Sequence, residues 1–341
     1  MSELRQDPFT DRWVVVAQNR EERPQEFSQV ETRRDSIACP FCLGNETATP
    51  AAVYIDGDLP DAEPSDWQVR VVPNKYPAVD LPAGEVGTGE ASPLYAASVD
   101  FLGQRRPGFG VHEVIIESPD HLVSFSELTD VQAERAFLAY RHRLLALQST
   151  SQVEYALIFK NARADAGASI EHVHSQLIAL PWIPPDVQYE LTKAHEHRLM
   201  RGVPLMESVL DAEVADGQRI ITSTDRFTVF CPAASRLPYE TWVVPWQPAP
   251  RFELESPDVI AELARAVRNV IIRLEGVIDR AAYNFWLHTA PLRDDSGRIH
   301  WRVEIAPRLA PLAGFEIGSG CFINSVAPED AAVRLRQETS E

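Results

Sequence analysis

Two histidines stand one residue apart in Ser169-Ile-Glu-His172-Val-His174-Ser-Gln176, in a chain of 341 residues that has nine histidines in all. Neutral imidazole is a good nucleophile near pH 7 and its phosphoramidate is reactive, so one histidine can split a transfer between two phosphates into two easier steps. Along a strand, residues i and i+2 face the same way, which would set His172, His174 and Gln176 on one face. The plainer alternative is a polar strand face, or histidines buried against carbonyls. Just upstream, "NARADAGAS" is a run of small residues whose backbone can approach a phosphate closely, with Asn161, Gly167 and Ser169 as amide and hydroxyl donors. Of the four cysteines, two form Cys39-Pro-Phe-Cys42 while Cys231 and Cys321 are isolated. That spacing suits a metal clip or a redox pair better than a disulfide framework.

Something must hold these groups, and a faint internal repeat supplies it. Residues 112–148 read as a strand, a turn and a helix with Leu128, Val131, Phe137, Leu138, Leu144 and Leu145 at roughly helical spacing; two further strands follow, "EYALIFKN" and "HVHSQLIALP". Residues 239–277 repeat the order and are followed by "AYNFWLH" and "HWRVEIAPRL". The expected fold class is α+β, two tandem domains spanning 1–183 and 184–341, each an antiparallel sheet backed by helices. The segment from Pro184 to Gly202 reads as a linking helix. His142, His195 and His197 fall on helices among charged neighbours and read as surface residues. A net charge of −18 argues against a broad nucleic-acid footprint, and 45% hydrophobic residues are ample for a core. No leader pattern or run of about 18 apolar residues is present, so a cytoplasmic protein without membrane partners is expected.

In order and spacing, "DPFTDRWVVVAQNREERP", "CPFC", "VVPNKYPA", "ESPDH", "FKN", "PYETWVVP" and "HTAP" together resemble the galactose-1-phosphate uridylyltransferase family of the histidine-triad superfamily, over nearly the whole chain. The resemblance implies that His174 is the nucleophile of a ping-pong nucleotidyl transfer, with Gln176 and Ser169 bonding the oxygens on which charge develops. It implies a nucleotide sugar and a hexose 1-phosphate or inorganic phosphate as substrates, and a homodimer. Cys39, Cys42, His121 and His172 would form a closed Cys2His2 set of the kind structural zinc prefers. Arg23 and Asn74 match positions near the nucleotide. The substrate-binding candidates are completed by Asn161, Gly167, Phe315, Gly320 and Asn324.

Two departures matter. Some members hold a second metal on a glutamate and three histidines; Glu190 and His288 could match, but Glu304 and Ala306 stand where two of those histidines belong, so a second metal is not expected. The second repeat has no His-x-His and should be catalytically degenerate. "HVHSQLIALP" and the tail "AGFEIGSGCFINSVAPED" look closer to an ADP-glucose phosphorylase branch, which leaves uridylyl transfer to a hexose 1-phosphate as the first reading and adenylyl transfer to phosphate as its rival. A zinc-containing nucleotide-binding module is the alternative of another class.

Overall fold

The computed structural model describes residues 2–18, 39–57, 66–80, 98–100, 103–105, 108–294 and 296–338. In chain order the strands are β1 (Glu3–Gln6), β2 (Trp13–Val16), β3 (Tyr54–Gly57), β4 (Trp67–Pro73), β5 (Ser98–Asp100), β6 (Gly103–Arg105) and β7 (Val111–Ile116). Helix α1 (Asp130–Leu147) follows, then β8 (Tyr155–Ala162), β9 (His174–Leu180), α2 (Pro185–Arg201) and α3 (Leu205–Asp216). The rest comprises β10 (Ile220–Ser223), β11 (Phe227–Phe230), β12 (Thr241–Pro245), α4 (Pro257–Val277), β13 (Tyr283–His288), β14 (Arg302–Pro307), α5 (Gly314–Ser319), β15 (Phe322–Asn324) and α6 (Pro328–Gln337).

Local chemistry sets the helix ends. Thr129 and Gln132 form a reciprocal capping box at the start of α1, satisfying two otherwise orphan amides. α2 begins on Pro185, where no amide donor is needed, and stops at Gly202, whose φ of +80° is left-handed backbone that a glycine adopts without steric cost. The buried stripe of α1 is built from Ala133, Ala136, Phe137, Ala139, Tyr140, Leu144 and Leu147. Val131, expected in that stripe, is 58% exposed: two positions before Ala133, it falls about 200° round the helix, away from the buried row.

Ten strands form one sheet in the order β10-β11-β12-β14-β13-β8-β9-β7-β4-β3. The order reads almost as a mirror about its centre, as a duplicated unit requires: β8 and β13 pair antiparallel there, with Asn161 opposite Asn284 and Phe159 opposite Trp286. β1, β2 and β15 make a separate three-stranded sheet in which β15 runs parallel to β2.

The pleat sorts residues between the two faces. Val71, Ile115, Leu177, Ile158, Phe285, Val303 and Val243 join the core under α1 and α4. Each such burial contributes roughly 1.5–3 kcal/mol. The registers place their neighbours on the opposite face: His112 and Val114 on β7, His174 and Gln176 on β9, Phe159 and Asn161 on β8, Asn284 and Trp286 on β13, Arg302 and Glu304 on β14. Chemistry-bearing groups from five strands thus share the side of the sheet that α1 and α4 leave uncovered. Among the described residues no helix is long and apolar enough to cross a membrane.

Candidate functional site

β9 starts at His174, so His172 lies just ahead of the strand rather than within it. The placement has a direct effect: His174 Nδ1 is 2.7 Å from the main-chain oxygen of His172. With its one proton donated there, the neutral ring carries its lone pair on Nε2. The sequence suggests a carbonyl from the adjacent strand for this task; the structure supplies it from two residues back. Burial, reinforced by the nearby Lys160 ammonium, pushes the His174 pKa down to about 4, which keeps the ring neutral at pH 7. Phe41 packs edge-on at 5.2 Å between ring centroids.

Behind His174, on the helix-covered face, lies a buried ion pair that sequence reading missed. Lys160 and Glu117 are 1% and 0% exposed, with Nζ 2.5 Å from Oε2. Lys160 also donates to the main-chain oxygen of His174 at 2.9 Å. The other oxygen of Glu117 accepts from Ser175 at 2.5 Å and from the Tyr140 hydroxyl. Burial lowers the Lys160 pKa, with Glu117 opposing. The signal was available: in "YALIFKNA" the core-facing positions are Ala156, Ile158, Lys160 and Ala162, and a charge in that row requires a buried counter-charge.

Antiparallel pairing of β7 with β9 sets Ile116 opposite His174, so the loop after β7 and the turn before β9 meet. His121 on the first and His172 on the second face the knuckle of Cys39 and Cys42. All four donor atoms lie within 4.8 Å of one another, and both cysteines are free thiols. Cys42 Sγ is 3.3 Å from His121 Nδ1 and 3.5 Å from His172 Nδ1, while Cys39 Sγ is 3.6 Å from His172 Nδ1. Zinc bond lengths of about 2.0 and 2.3 Å at tetrahedral angles demand nitrogen-to-sulfur separations of about 3.5 Å. The donor set fits a tetrahedral metal. His172 Nε2 is 2.8 Å from Ser118 O, which leaves Nδ1 as the ligand nitrogen. Burial, and then Cys39, push the Cys42 thiol up to about 12; a thiolate here calls for a cation.

Gln176 Oε1 is 2.9 Å from His112 Nε2, and that ring atom is 3.0 Å from Asn74 Nδ2, so Gln176 and Asn74 meet at a residue the sequence reading passed over. Asn161 lies on the neighbouring strand β8, its Oδ1 accepting from Asn284 at 2.8 Å. In the loop after β8, the Gly167 amide donates to Ala164 O at 2.8 Å; its backbone donor is therefore engaged, and its contribution is the turn its φ of +89° permits. Ser169 is exposed on the same loop. Arg23 lies outside the described residues. In the tail, Phe315 is half-exposed on α5 and Gly320 caps that helix. Asn324 is fully buried, its amide committed to Ser235 O at 2.9 Å and to the Val326 N–H, which corrects its reading as a ligand contact.

In the second half, Glu304 lies opposite Trp286 as Gln176 lies opposite Phe159. Counting back from each, Arg302 stands where His174 stands and His300 where His172 stands. His300 Nε2 reaches Pro245 O at 2.8 Å, much as His172 reaches Ser118. Arg302 bonds Glu190 at 2.9 and 3.1 Å and Glu304 at 2.8 Å, between the rings of Phe9 and Trp242 at 5.0 and 4.5 Å. Burial alone would raise the Glu190 pKa, but Arg302 and His288 hold it well below the ordinary carboxylate range. A guanidinium, which cannot attack phosphorus, occupies the nucleophile's position there.

A family model described as "Galactose-1-phosphate uridyl transferase, N-terminal domain" matches residues 1–184, and one described as "Domain of unknown function (DUF4921)" matches residues 110–341. The chain is similar to the ADP-glucose phosphorylase of Arabidopsis thaliana, with 31% identity over 98% of this chain and 92% of that protein. It is similar to the galactose-1-phosphate uridylyltransferase of Thermotoga maritima, with 27% identity over 100% of both. The crystal structure of an ADP-glucose phosphorylase from Arabidopsis thaliana with bound ADP-glucose matches with a TM-score of 0.83 and 30% identity, covering 100% of both chains.

Proposed function

We propose that this chain, which belongs to the galactose-1-phosphate uridylyltransferase family and is a nucleotidyltransferase of that type, carries the transferred group on His174 Nε2. The observation that carries the reading is the 2.7 Å bond from His174 Nδ1 to its neighbour's carbonyl, which leaves the other nitrogen with the lone pair in a ring held neutral by burial. Nε2 attacks the nucleotidyl phosphorus of a nucleotide sugar; the bond to the distal phosphate oxygen breaks and hexose 1-phosphate departs with the electron pair. The His172 carbonyl steadies the positive charge that the ring acquires. An oxygen of a second phosphate then attacks the same phosphorus and the N–P bond breaks, restoring His174. Gln176 and Ser169 are the candidate donors to the charged oxygens, and fixed donors in such sites contribute a few kcal/mol each. Asn74 and Asn161 are assigned to the substrate.

Cys39, Cys42, His121 and His172 would hold zinc, whose contribution is to fix the turn that delivers the His172 carbonyl to His174. For the acceptor we favour inorganic phosphate and for the group AMP, supported by the likeness to ADP-glucose phosphorylase and by the tail, where Asn324 is committed internally. The reading with UMP and a hexose 1-phosphate acceptor is supported by the full-length likeness to a uridylyltransferase. A homodimer is supported by the exposed Phe315 and Ile317 of α5.

The test is intact mass after incubation with ADP-glucose or UDP-glucose. An AMP adduct, absent in His174→Asn and discharged by phosphate faster than by galactose 1-phosphate, is expected. A UMP adduct discharged only by galactose 1-phosphate would establish the second reading, and no adduct with either sugar would remove the covalent mechanism.

A further inference from the structure

We propose that His112 is a positioning residue for the transfer: its ring fixes the side-chain amide of Gln176 with the oxygen engaged and the NH2 left to meet an anionic oxygen of the group on His174. The inference rests on the nucleophile reading above. The main-chain N–H of Ala78 donates to His112 Nδ1 at 3.0 Å. A backbone amide is only a donor, so Nδ1 holds the lone pair and the single proton of the neutral ring is on Nε2. Two groups approach that nitrogen, Gln176 Oε1 at 2.9 Å and Asn74 Nδ2 at 3.0 Å. Only the oxygen can accept. Asn74 cannot turn to compete, because its own oxygen accepts from the Tyr76 N–H at 2.8 Å. Gln176 therefore keeps its nitrogen as the free end, on the same face of β9 as His174.

The backbone around His112 is held at several points. Its carbonyl accepts from the Asn74 N–H at 2.8 Å, and the Ala78 segment is tied to the start of β7 by Asp80 to Gly108 and Gly110 to Asp80 bonds of 3.2 and 3.1 Å. Close packing enforces the approach: a Cβ on Gly110 would lie 2.4 Å from Ala179 O on β9. An unanchored glutamine amide turns readily, and its oxygen repels an anion where its nitrogen binds one.

The experiment measures single-turnover release of hexose 1-phosphate from ADP-glucose and UDP-glucose, adduct by intact mass, and nucleotide-sugar affinity. His112→Asn keeps an acceptor for Ala78 but has no atom in the place of Nε2. It should slow adduct formation about tenfold to a hundredfold with affinity changed by less than about threefold. His112→Gln, whose amide nitrogen reaches that place, should recover most of the rate. The double variant His112→Asn/Gln176→Ala should be no slower than Gln176→Ala alone, since one residue acts through the other. His112→Phe carries the same expectation should the asparagine variant melt early. Wild-type rates in His112→Asn, multiplied defects in the double variant, or His112→Gln as slow as His112→Asn would overturn the role of His112 while leaving His174 in place. A wild type that forms no adduct on His174 overturns both.

Discussion

Replacing Lys160 by methionine leaves Glu117 at 0% exposure without its counter-charge, holding only the donors of Ser175 and Tyr140. Breaking a buried pair by removing one partner costs about 3–5 kcal/mol, because the survivor is left charged or must take up a proton. For a chain of this length about 2–3 °C of melting temperature follows each kcal/mol, so Lys160→Met should melt about 6–15 °C below wild type. Adding Glu117→Gln removes the orphaned charge while Tyr140 and Ser175 can still donate to the amide oxygen. The double variant should therefore melt above Lys160→Met, and Glu117→Gln alone, which strands the lysine, should melt below wild type. Differential scanning calorimetry of the four proteins completes the cycle. A Lys160→Met protein within about 2 °C of wild type, or a double variant no more stable than Lys160→Met, would refute the claim that the pair is coupled.

His174 titrates at about 4 when folded, against about 6.5 for a free imidazole, so adduct formation should be nearly flat from pH 7.5 to 5.5; rapid-quench rates falling to about a tenth would show an ordinary histidine. Between those values the unfolded chain binds more protons, so the contribution of His174 to stability fades as pH drops from about 6.5 toward 4, which melts across that range would detect. Cys42→Ser should lower bound zinc well below one per chain and reduce the melting temperature, since a closed site contributes folding energy directly; full metal by elemental analysis would defeat the assignment. Arg302→Met takes one guanidinium from Glu190 and Glu304, which keep His288 at 3.1 Å and Arg236 at 2.7 Å, so it should melt below wild type but by less than Lys160→Met, as calorimetry would show.

The α+β class and the duplicated order of strands and helix were legible because apolar periodicity survives in both copies. The Cys39, Cys42, His121, His172 cluster was legible because sulfur and imidazole are scarce ligands, and four of them converge where paired strands end. What the sequence did not disclose was set by register. Whether Gln176 meets His112 depends on β7 running beside β9 with Val114 opposite Gln176, a long-range fact without local signature. The His172 carbonyl was missed because the strand begins two residues later than alternation suggests. Asn324 looked available because an asparagine in a glycine-rich tail says nothing of its burial.

The ladder from Tyr283 opposite Ala162 to Leu287 opposite Ile158 stitches the two copies into one sheet. A two-step exchange needs its first product to leave and a second reactant to enter while a hydrolysable phosphoramidate waits between them. Enzymes with separable lobes can manage this traffic by rocking about a hinge. Here rocking would tear backbone hydrogen bonds along the seam, so the halves cannot serve as jaws. On the proposed mechanism, entry and exit fall instead to segments off the sheet.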